Sequence, residues 1–165
     1  MSKLISVYVM LTLVLVSSAF AYTYTCQEGH FQIDVPEGWE NDVGLFDRKD
    51  EGQASFRYVS GDNAAFFVIK WGLIANDYSL ISAHDKVVTY QYDPPKTDKY
   101  LSLKEAETMN IDNGFIINFR EYRFIAIFLK GKRIYILDSD LGMSGNIPHL
   151  DEIMIRIFNS FRALD

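Results

Sequence analysis

The residues in this sequence that are most able to do chemistry are three histidines, His30, His84 and His149. None of them forms an H-x-x-x-H or H-E-x-x-H motif, and Cys26 is the single cysteine, so the spacing of a zinc site is missing. His84 and Asp85 are neighbours on a predicted helix, where their side chains diverge by about 100°. We therefore predict no hydrogen bond between them, and a surface or packing role is favoured for each histidine.

Carboxylates cluster at the predicted strand ends. Asp138-Ser139-Asp140 follows the last strand of a meander, and Asp112 belongs to a nearby turn. Clustered carboxylates can bind a hard cation such as Ca²⁺, but this spacing lacks the loop of oxygen ligands that such sites use. Asp and Ser also favour turns because their side chains bond local backbone groups. A turn role is therefore favoured over a metal site.

The sequence also lacks the motifs of a phosphate-binding loop and of a serine hydrolase. The segment Gly142 to Asn146 precedes a helix, but it lacks the spacing and the lysine of a phosphate-binding loop. No G-x-S-x-G surrounds any serine beyond the N-terminal segment. The sequence thus predicts no catalytic residue, no metal ligand and no cofactor, and it leaves any cofactor-binding residue unidentified.

The first 21 residues resemble a secretory signal peptide. Lys3 precedes the apolar run Leu4–Val16, and Ser17-Ser18-Ala19-Phe20-Ala21 ends in Ala-x-Ala. The run is shorter than the about 20 residues that a membrane-spanning helix needs. We predict cleavage after Ala21, a single domain over residues 22–165, and an exported protein that is periplasmic or secreted. Retention of the segment as an anchor is left open.

Composition limits the partners. The chain has 165 residues and a formal net charge of −6, which is not the electrostatic footprint of a nucleic-acid binder. With one cysteine no internal disulfide can form, so Cys26 either stays free or pairs between chains. The favoured role for Cys26 is that of a small residue in a strand or arm.

The aromatic and aliphatic stretch from Gly114 to Asp138 organises the fold prediction. Its residue types suit strands, and turn signals at Asp112-Asn113-Gly114 and Lys130-Gly131-Lys132 divide it. It predicts an antiparallel meander, with a buried helix as the alternative. The predicted meander strands are Glu105–Ile111, Phe115–Tyr122, Phe124–Lys130 and Arg133–Asp138. Earlier strands are predicted at Phe31–Val35, Leu45–Arg48, Ser55–Ser60 and Ala64–Trp71.

Two segments show helical spacing. Leu80, Ile81, Val87 and Val88 predict a helix over Asp77–Tyr92, ended by Pro94-Pro95. A continuous apolar stripe predicts a second helix over Leu150–Leu164 that packs on one face of the sheet. The polar segment Lys96–Leu103 is predicted to be a surface loop.

Both ends of the chain carry a family resemblance. Phe31-x-Ile33-x-Val35-Pro36-x-Gly38-Trp39 and the ending Ile157-Phe158-x-Ser160-Phe161 are similar to the opening strand and closing helix of PsbP/Mog1/DcrB-like domains. The resemblance implies an α+β fold, in which helices pack on both faces of a central antiparallel sheet as an α/β/α sandwich. It carries over no catalytic residue, and it implies an envelope or secreted member.

These observations predict an exported, non-enzymatic binding or assembly factor of the cell envelope, with an unidentified protein partner. Two alternatives are left open. One is a carrier of a small ligand or metal, and the other is an enzyme that uses a histidine and a carboxylate from distant segments. Some aromatic residues could line an apolar groove. Strand ends and the Lys96–Leu103 segment are the expected places for function.

Overall fold

The structure is a computed structural model that describes residues 20–42, 47–48, 51–61, 63–74, 78–90, 94–119, 123–140 and 149–165. These residues form eleven strands and three short helices. In chain order they are β1 (Phe20–Cys26), β2 (Phe31–Pro36), β3 (Trp39–Asp42), β4 (Asp47–Arg48), β5 (Glu51–Ser60), β6 (Asn63–Leu73), α1 (Leu80–Tyr90), β7 (Thr97–Tyr100), α2 (Leu103–Met109), β8 (Asn113–Asn118), β9 (Phe124–Lys130), β10 (Arg133–Asp140), α3 (Leu150–Ser160) and β11 (Arg162–Ala163).

The strands form two antiparallel sheets. The large sheet has eight strands in the order β3-β5-β6-β10-β9-β8-β7, with β4 also pairing with β5. The small sheet has three strands in the order β1-β2-β11. The chain passes from the small sheet to the large one at the turn between Pro36 and Trp39, where Gly38 adopts a positive φ of 80°. Glycine takes this conformation without the steric penalty of a side chain.

The predicted α/β/α sandwich is wrong, because the fold is mostly β. The side chains of Phe31, Ile33 and Val35 alternate inward from β2 and are fully buried, so a second sheet covers much of the face that was assigned to a helix layer. Helices α1 and α3 have 11 residues each and α2 has 7, which leaves most of the packing surface to strands.

The main core lies between the small sheet with α3 and the large sheet. The Phe31 ring stacks on Phe161 at 5.7 Å between centroids and meets Tyr135 edge-on at 6.0 Å. Phe56 and Phe67 stack at 4.4 Å on neighbouring strands. We call the face of the large sheet that points into this core the inner face, and the opposite face the outer face.

Several predicted elements change their type. Glu105–Ile111, predicted to be a strand, lies mostly in helix α2, because Ser102 and Glu105 form a capping box that starts a helix there. That helix ends at Met109 and is capped by Asn110, which adopts a left-handed conformation with φ of 51°. The predicted loop Lys96–Leu103 contains the exposed edge strand β7 and the first residue of α2.

Other predictions are confirmed or shifted. Phe124–Lys130 is confirmed as β9, and β10 continues past the predicted Asp138 to Asp140. Strand β8 ends at Asn118, before the predicted Tyr122, and residues 120–122 lie outside the described residues. The last helix ends at Ser160 because Phe161 turns into the core, and Arg162–Ala163 then pairs with β2.

The N-terminal prediction falls largely outside the described residues, which begin at Phe20 with β1. Among the described helices, none has the length and apolar character needed to cross a membrane.

Candidate functional site

Helix α1 covers one half of the outer face of the large sheet. Leu80, Ala83, Val87 and Val88 recur at helical spacing and, with Tyr78, pack on the outer side chains of β8, β9 and β10. The outer positions beneath the helix are almost fully buried: Phe115 and Ile117 of β8 are 0% exposed and Ile127 of β9 is 4% exposed. This apolar stripe fixes the helix to that half of the sheet.

The other half of the outer face is left open by the described elements. On β6 the inner residues Phe67 and Ile69 are fully buried, whereas the alternating outer residues Phe66 and Val68 are only half-buried and Lys70 is exposed. We call this surface the open half-face. Its described members are Gln53, Ser55, Arg57 and Val59 of β5 and Phe66, Val68 and Lys70 of β6.

One side of α1 is tied to edge strand β7 through His84. The His84 Nε2 atom lies 2.9 Å and 2.8 Å from the two carboxylate oxygens of Asp98, and Nδ1 lies 3.4 Å from Asp85 Oδ1. The ring lies 5.0 Å from the rings of both Tyr100 and Phe115, and the side chain is only 13% exposed. The prediction that His84 and Asp85 form no hydrogen bond is therefore wrong, although 3.4 Å is long for such a bond.

Two neighbouring carboxylates, Asp98 and Asp85, raise the pKa of His84. Burial by itself lowers the pKa of His84, but the hydrogen bonds with Asp98 and Asp85 and the charges of both outweigh it, so the pKa is raised. Protonated histidine donates from both ring nitrogens, which is the form that suits two carboxylates. The two carboxylates thus favour the protonated form of His84, which links α1 to β7.

The His84–Asp98 pair matches the enzymatic alternative, which needs a histidine beside a carboxylate from a distant segment. However, both ring nitrogens of His84 face carboxylates, so neither is directed at a substrate as a general base must be. The rings of Tyr100 and Phe115 lie against the imidazole. The geometry therefore supports a structural tie.

The opposite side of α1 borders a cleft of about 440 Å³, lined by Tyr78, Ser79, Ser82, Ala83 and Lys86. His84 contacts Asp98 of β7, whereas the residues that line the cleft lie in α1 and just before it. Ligand pockets commonly have volumes of roughly 300–1,000 Å³. Burial raises the pKa of Tyr78, so this phenol is a neutral donor or acceptor at ordinary pH.

The cleft begins where α1 begins. The Ser79 hydroxyl accepts the backbone N–H of Ser82 at 3.3 Å, and the Ser79 carbonyl accepts that of Ala83 at 3.0 Å. Capping of this kind satisfies donors at the first helical turn. The same serine therefore starts the helix and contributes a polar group to the cleft.

The other two histidines have backbone roles. His30 adopts a positive φ of 54°, and its carbonyl accepts bonds from the Leu164 N–H at 2.7 Å and the Tyr135 hydroxyl at 3.1 Å. His149 precedes α3 with φ of 59°, and its mostly exposed ring lies 3.6 Å from Glu152 Oε1. Neither His30 nor His149 is among the described residues that line the cleft.

The predicted carboxylate cluster is not brought together. Asp112 accepts the Gly131 N–H at 2.6 Å near the end of β9, whereas Asp138 pairs in register with Ile125 near its beginning and lies 3.6 Å from Arg123 Nη2. Among the described residues, no group of three or more His, Cys, Asp or Glu side chains could hold a metal ion. The favoured turn role fits Asp112, which accepts a bond in the β9–β10 turn, but it is wrong for Asp138, Ser139 and Asp140, which belong to strand β10.

Ser139 has a different role from its neighbours. It is fully buried, and its hydroxyl accepts the Phe124 backbone N–H at 2.8 Å, which joins β10 to the start of β9. Cys26 is also buried, and its sulfur accepts the Gly29 N–H at 3.2 Å. The segment 142–146 lies outside the described residues.

A second, smaller cleft of about 240 Å³ lies between α2 and α3, lined by Lys104, Glu105, Thr108, Met109 and Asn159. Its acidic residue is already engaged: a hydrogen bond from Lys99, with further bonds from Ser102, lowers the pKa of Glu105 to about 2. Glu105 is also the capping residue of α2. This cleft therefore has a structural explanation for its charged groups.

Sequence reasoning missed Asp98 and Lys86 as site residues. Asp98 lies in the segment that was predicted to be a loop and is 14 residues from His84, so no local spacing connects the two. Lys86 occupies the polar side of the predicted helix, and that position alone indicates only solvent exposure. Comparison of the sequence with protein-family models and with curated proteins finds no match.

Proposed function

We propose that this protein is an exported, non-enzymatic binding module whose ligand or partner occupies the cleft beside α1 and the adjoining open half-face. The observation that carries the proposal is the unequal covering of one sheet face. Outer side chains of β8 and β9 are 0–5% exposed beneath α1, while Phe66 and Val68 on β6 are only half-buried. Half-buried apolar groups beside a walled cleft are typical of a binding surface.

The chemistry of the walls also supports binding. The cleft combines three hydroxyls, from Tyr78, Ser79 and Ser82, with the Lys86 ammonium. A few polar groups on an otherwise apolar surface orient a ligand. The histidine nearest to the cleft, His84, is engaged by Asp98 on the other side of the helix. The export part of the proposal rests on the Lys3–Ala21 segment alone.

A blocking variant tests the location. The purified protein is screened by thermal shift against amphipathic acids, alcohols and short peptides, since a ligand that binds the native state raises the melting temperature. Ser82→Trp places a large ring in the cleft beside α1, and Thr108→Trp places the same ring in the α2–α3 cleft. We expect the stabilisation to be abolished by Ser82→Trp and retained by Thr108→Trp.

The reverse pattern would place the site between α2 and α3 and contradict the proposal. A panel that leaves the wild-type melting temperature unchanged throughout would contradict it as well. Turnover of any panel compound by the wild-type protein, lost in Ser82→Trp, would show an enzyme at this site. Both variants change exposed positions, and circular dichroism spectra confirm that each is folded before ligands are compared.

A further inference from the structure

Strand β7 forms one edge of the large sheet, and all four of its residues, Thr97–Tyr100, are exposed. On one side it pairs with β8 in antiparallel register. No strand in the described part of the chain pairs with its other side. A row of backbone N–H and C=O groups without a neighbouring strand is a template for pairing with another chain.

The β7–β8 ladder shows which backbone groups face outward. The Leu101 N–H donates to the Gly114 carbonyl at 3.0 Å, and hydrogen-bonded residue pairs alternate with non-bonded pairs in an antiparallel ladder. Lys99, two residues earlier, is therefore also bonded to β8 in this register. The backbone groups of Asp98 and Tyr100 face away from β8. The edge thus offers two donors and two acceptors to an incoming strand.

A second copy of this chain fits the edge poorly. A two-fold axis that joins two antiparallel β7 edges keeps each side chain on its own face, so opposed residues must both be even-numbered or both odd-numbered. Two such registers pair three residues of β7. One sets Asp98 against Asp98, and the other sets Lys99 against Lys99. Like charges directly opposite each other destabilise a strand pair, so the edge fits a strand of a different chain.

The apolar side chains beside the edge indicate part of that strand. Asp98 and Tyr100 both contact His84 of α1, so their side chains lie on the outer face. Tyr100 is 47% exposed, and Ile81, one helical turn before His84, is 65% exposed. An aliphatic side chain opposite Tyr100 would form a stabilising cross-strand pair with its ring.

The charge beside the edge indicates the rest. The carboxylates of Asp98 and Asp85 both lie within hydrogen-bonding distance of His84, so one negative charge remains even when the imidazole is protonated. The Asp85 side chain is 70% exposed and that of Asp98 is 35% exposed. A basic side chain opposite Asp98 would balance this charge.

We propose that the outward edge of β7 binds an extended segment of another protein by β-strand addition. An aliphatic residue of that segment lies opposite Tyr100, and a basic residue lies opposite Asp98. Because the added strand runs antiparallel to β7, its sequence reads aliphatic-x-basic. None of the described residues that line the cleft beside α1 belongs to β7, so this surface is additional to the proposed function.

N-methylated peptides test the strand addition. The probe is a fluorescent peptide, Thr-Thr-Ile-Thr-Arg-Thr-Thr, whose binding is measured by polarisation. Methylating the amides of its Ile and Arg removes the two donors that would bond the Tyr100 and Asp98 carbonyls, and binding should weaken at least about tenfold. Methylating the Thr between them is the matched control, because that amide faces away from β7. This control peptide should bind like the unmodified probe.

Side-chain changes test the predicted sequence. Replacing Arg by Glu in the peptide should weaken binding by about fivefold or more, and Asp85→Asn should reduce that difference. Ile81→Ala should weaken binding of the unmodified peptide by about threefold or more. Ile155→Ala, which changes a 45% exposed isoleucine on α3, is the matched control and should leave binding unchanged.

The outcomes separate this inference from its rivals. Equal binding of the two methylated peptides would overturn it, as would no binding of the unmodified peptide up to about 1 mM. Self-association of the chain in sedimentation, reversed by the peptide, would assign the edge to a second copy instead. Ser82→Trp should not change peptide binding, because Ser82 lines the cleft beside α1. Failure of the peptide tests therefore leaves the proposed function standing, and an unresponsive ligand panel leaves this inference standing.

Discussion

The His84–Asp98 pair offers a quantitative test of how α1 is held on the sheet. The perturbation is a double-mutant cycle of His84→Gln, Asp98→Asn and the double variant. Hydrogen bonds to charged groups stabilise by roughly 1.5–3 kcal/mol. Asp98 has a side chain that is 35% exposed, and solvent screening there reduces the benefit. We therefore expect a coupling free energy of about 1–1.5 kcal/mol at pH 5.5.

The pH dependence follows from the raised pKa of His84. Unfolded histidine titrates near about pH 6.5, and the folded pKa is higher because Asp98 and Asp85 outweigh the effect of burial. The folded state then binds the proton more tightly than the unfolded state. Its contribution to stability is fully present below the unfolded pKa and is lost as pH rises through the folded pKa. As His84 loses its proton toward pH 8.5, a neutral imidazole faces the Asp98 carboxylate and the attraction between opposite charges is lost, so the coupling should fall to about half its value at pH 5.5.

Urea unfolding at 25 °C, followed by circular dichroism, measures each free energy of unfolding. The matched control is the cycle His149→Gln and Glu152→Gln, whose side chains are 76% and 65% exposed and lie 3.6 Å apart. Exposed pairs contribute little, so the control coupling should be below about 0.5 kcal/mol at both pH values. A His84–Asp98 coupling that equals the control, or that grows between pH 5.5 and 8.5, would refute the tie.

Three further predictions concern the sheets. Gly114→Ala would place a Cβ 2.7 Å from a backbone oxygen of β9 and should lower the free energy of unfolding in urea by about 1–3 kcal/mol. Gly72→Ala, whose Cβ would have its nearest described neighbour at 3.8 Å, should cost less than about 1 kcal/mol. Equal effects would contradict the close packing of β8 on β9. Ser139→Ala removes the hydroxyl that accepts the Phe124 N–H at the start of β9, and it should lower the free energy of unfolding by about 1–3 kcal/mol. An unchanged urea midpoint would show that this hydrogen bond does not stabilise the fold. Cys26 is 4% exposed, so its reaction with a thiol reagent should be slow until urea unfolds the protein; a fast reaction in buffer would contradict its burial.

Elements with strong local signals could be predicted from the sequence. Strand Phe124–Lys130 matches its prediction because aromatic and β-branched residues lie between clear turn signals. Helix α1 lies inside its predicted span because apolar residues recur at helical spacing. Glu105–Ile111 was misassigned, although the Ser102–Glu105 capping box that starts a helix there can be read directly from the sequence.

The resemblance led to the wrong fold class for a physical reason. Phe31, Ile33 and Val35 predict a strand, and β2 is one, but no local pattern states which sheet a strand joins. That choice depends on long-range pairing: β2 pairs with the neighbouring strand β1 and also with β11, at Arg162–Ala163 near the other end of the described chain. The Asp34 N–H also bonds the Ser160 hydroxyl at the end of α3. Tertiary contacts thus replaced a helix layer with a second sheet.

The sequence by itself determined the apolar stripes, the turns, the acidic balance and the single cysteine, because each depends on residue type and local spacing. Only the tertiary structure decided the candidate site. His84 meets Asp98 because α1 packs on the outer face of the sheet next to edge strand β7, and Lys86 lines the cleft that α1 borders. Strand order brings these residues together, and strand order is set by the packing of the whole chain.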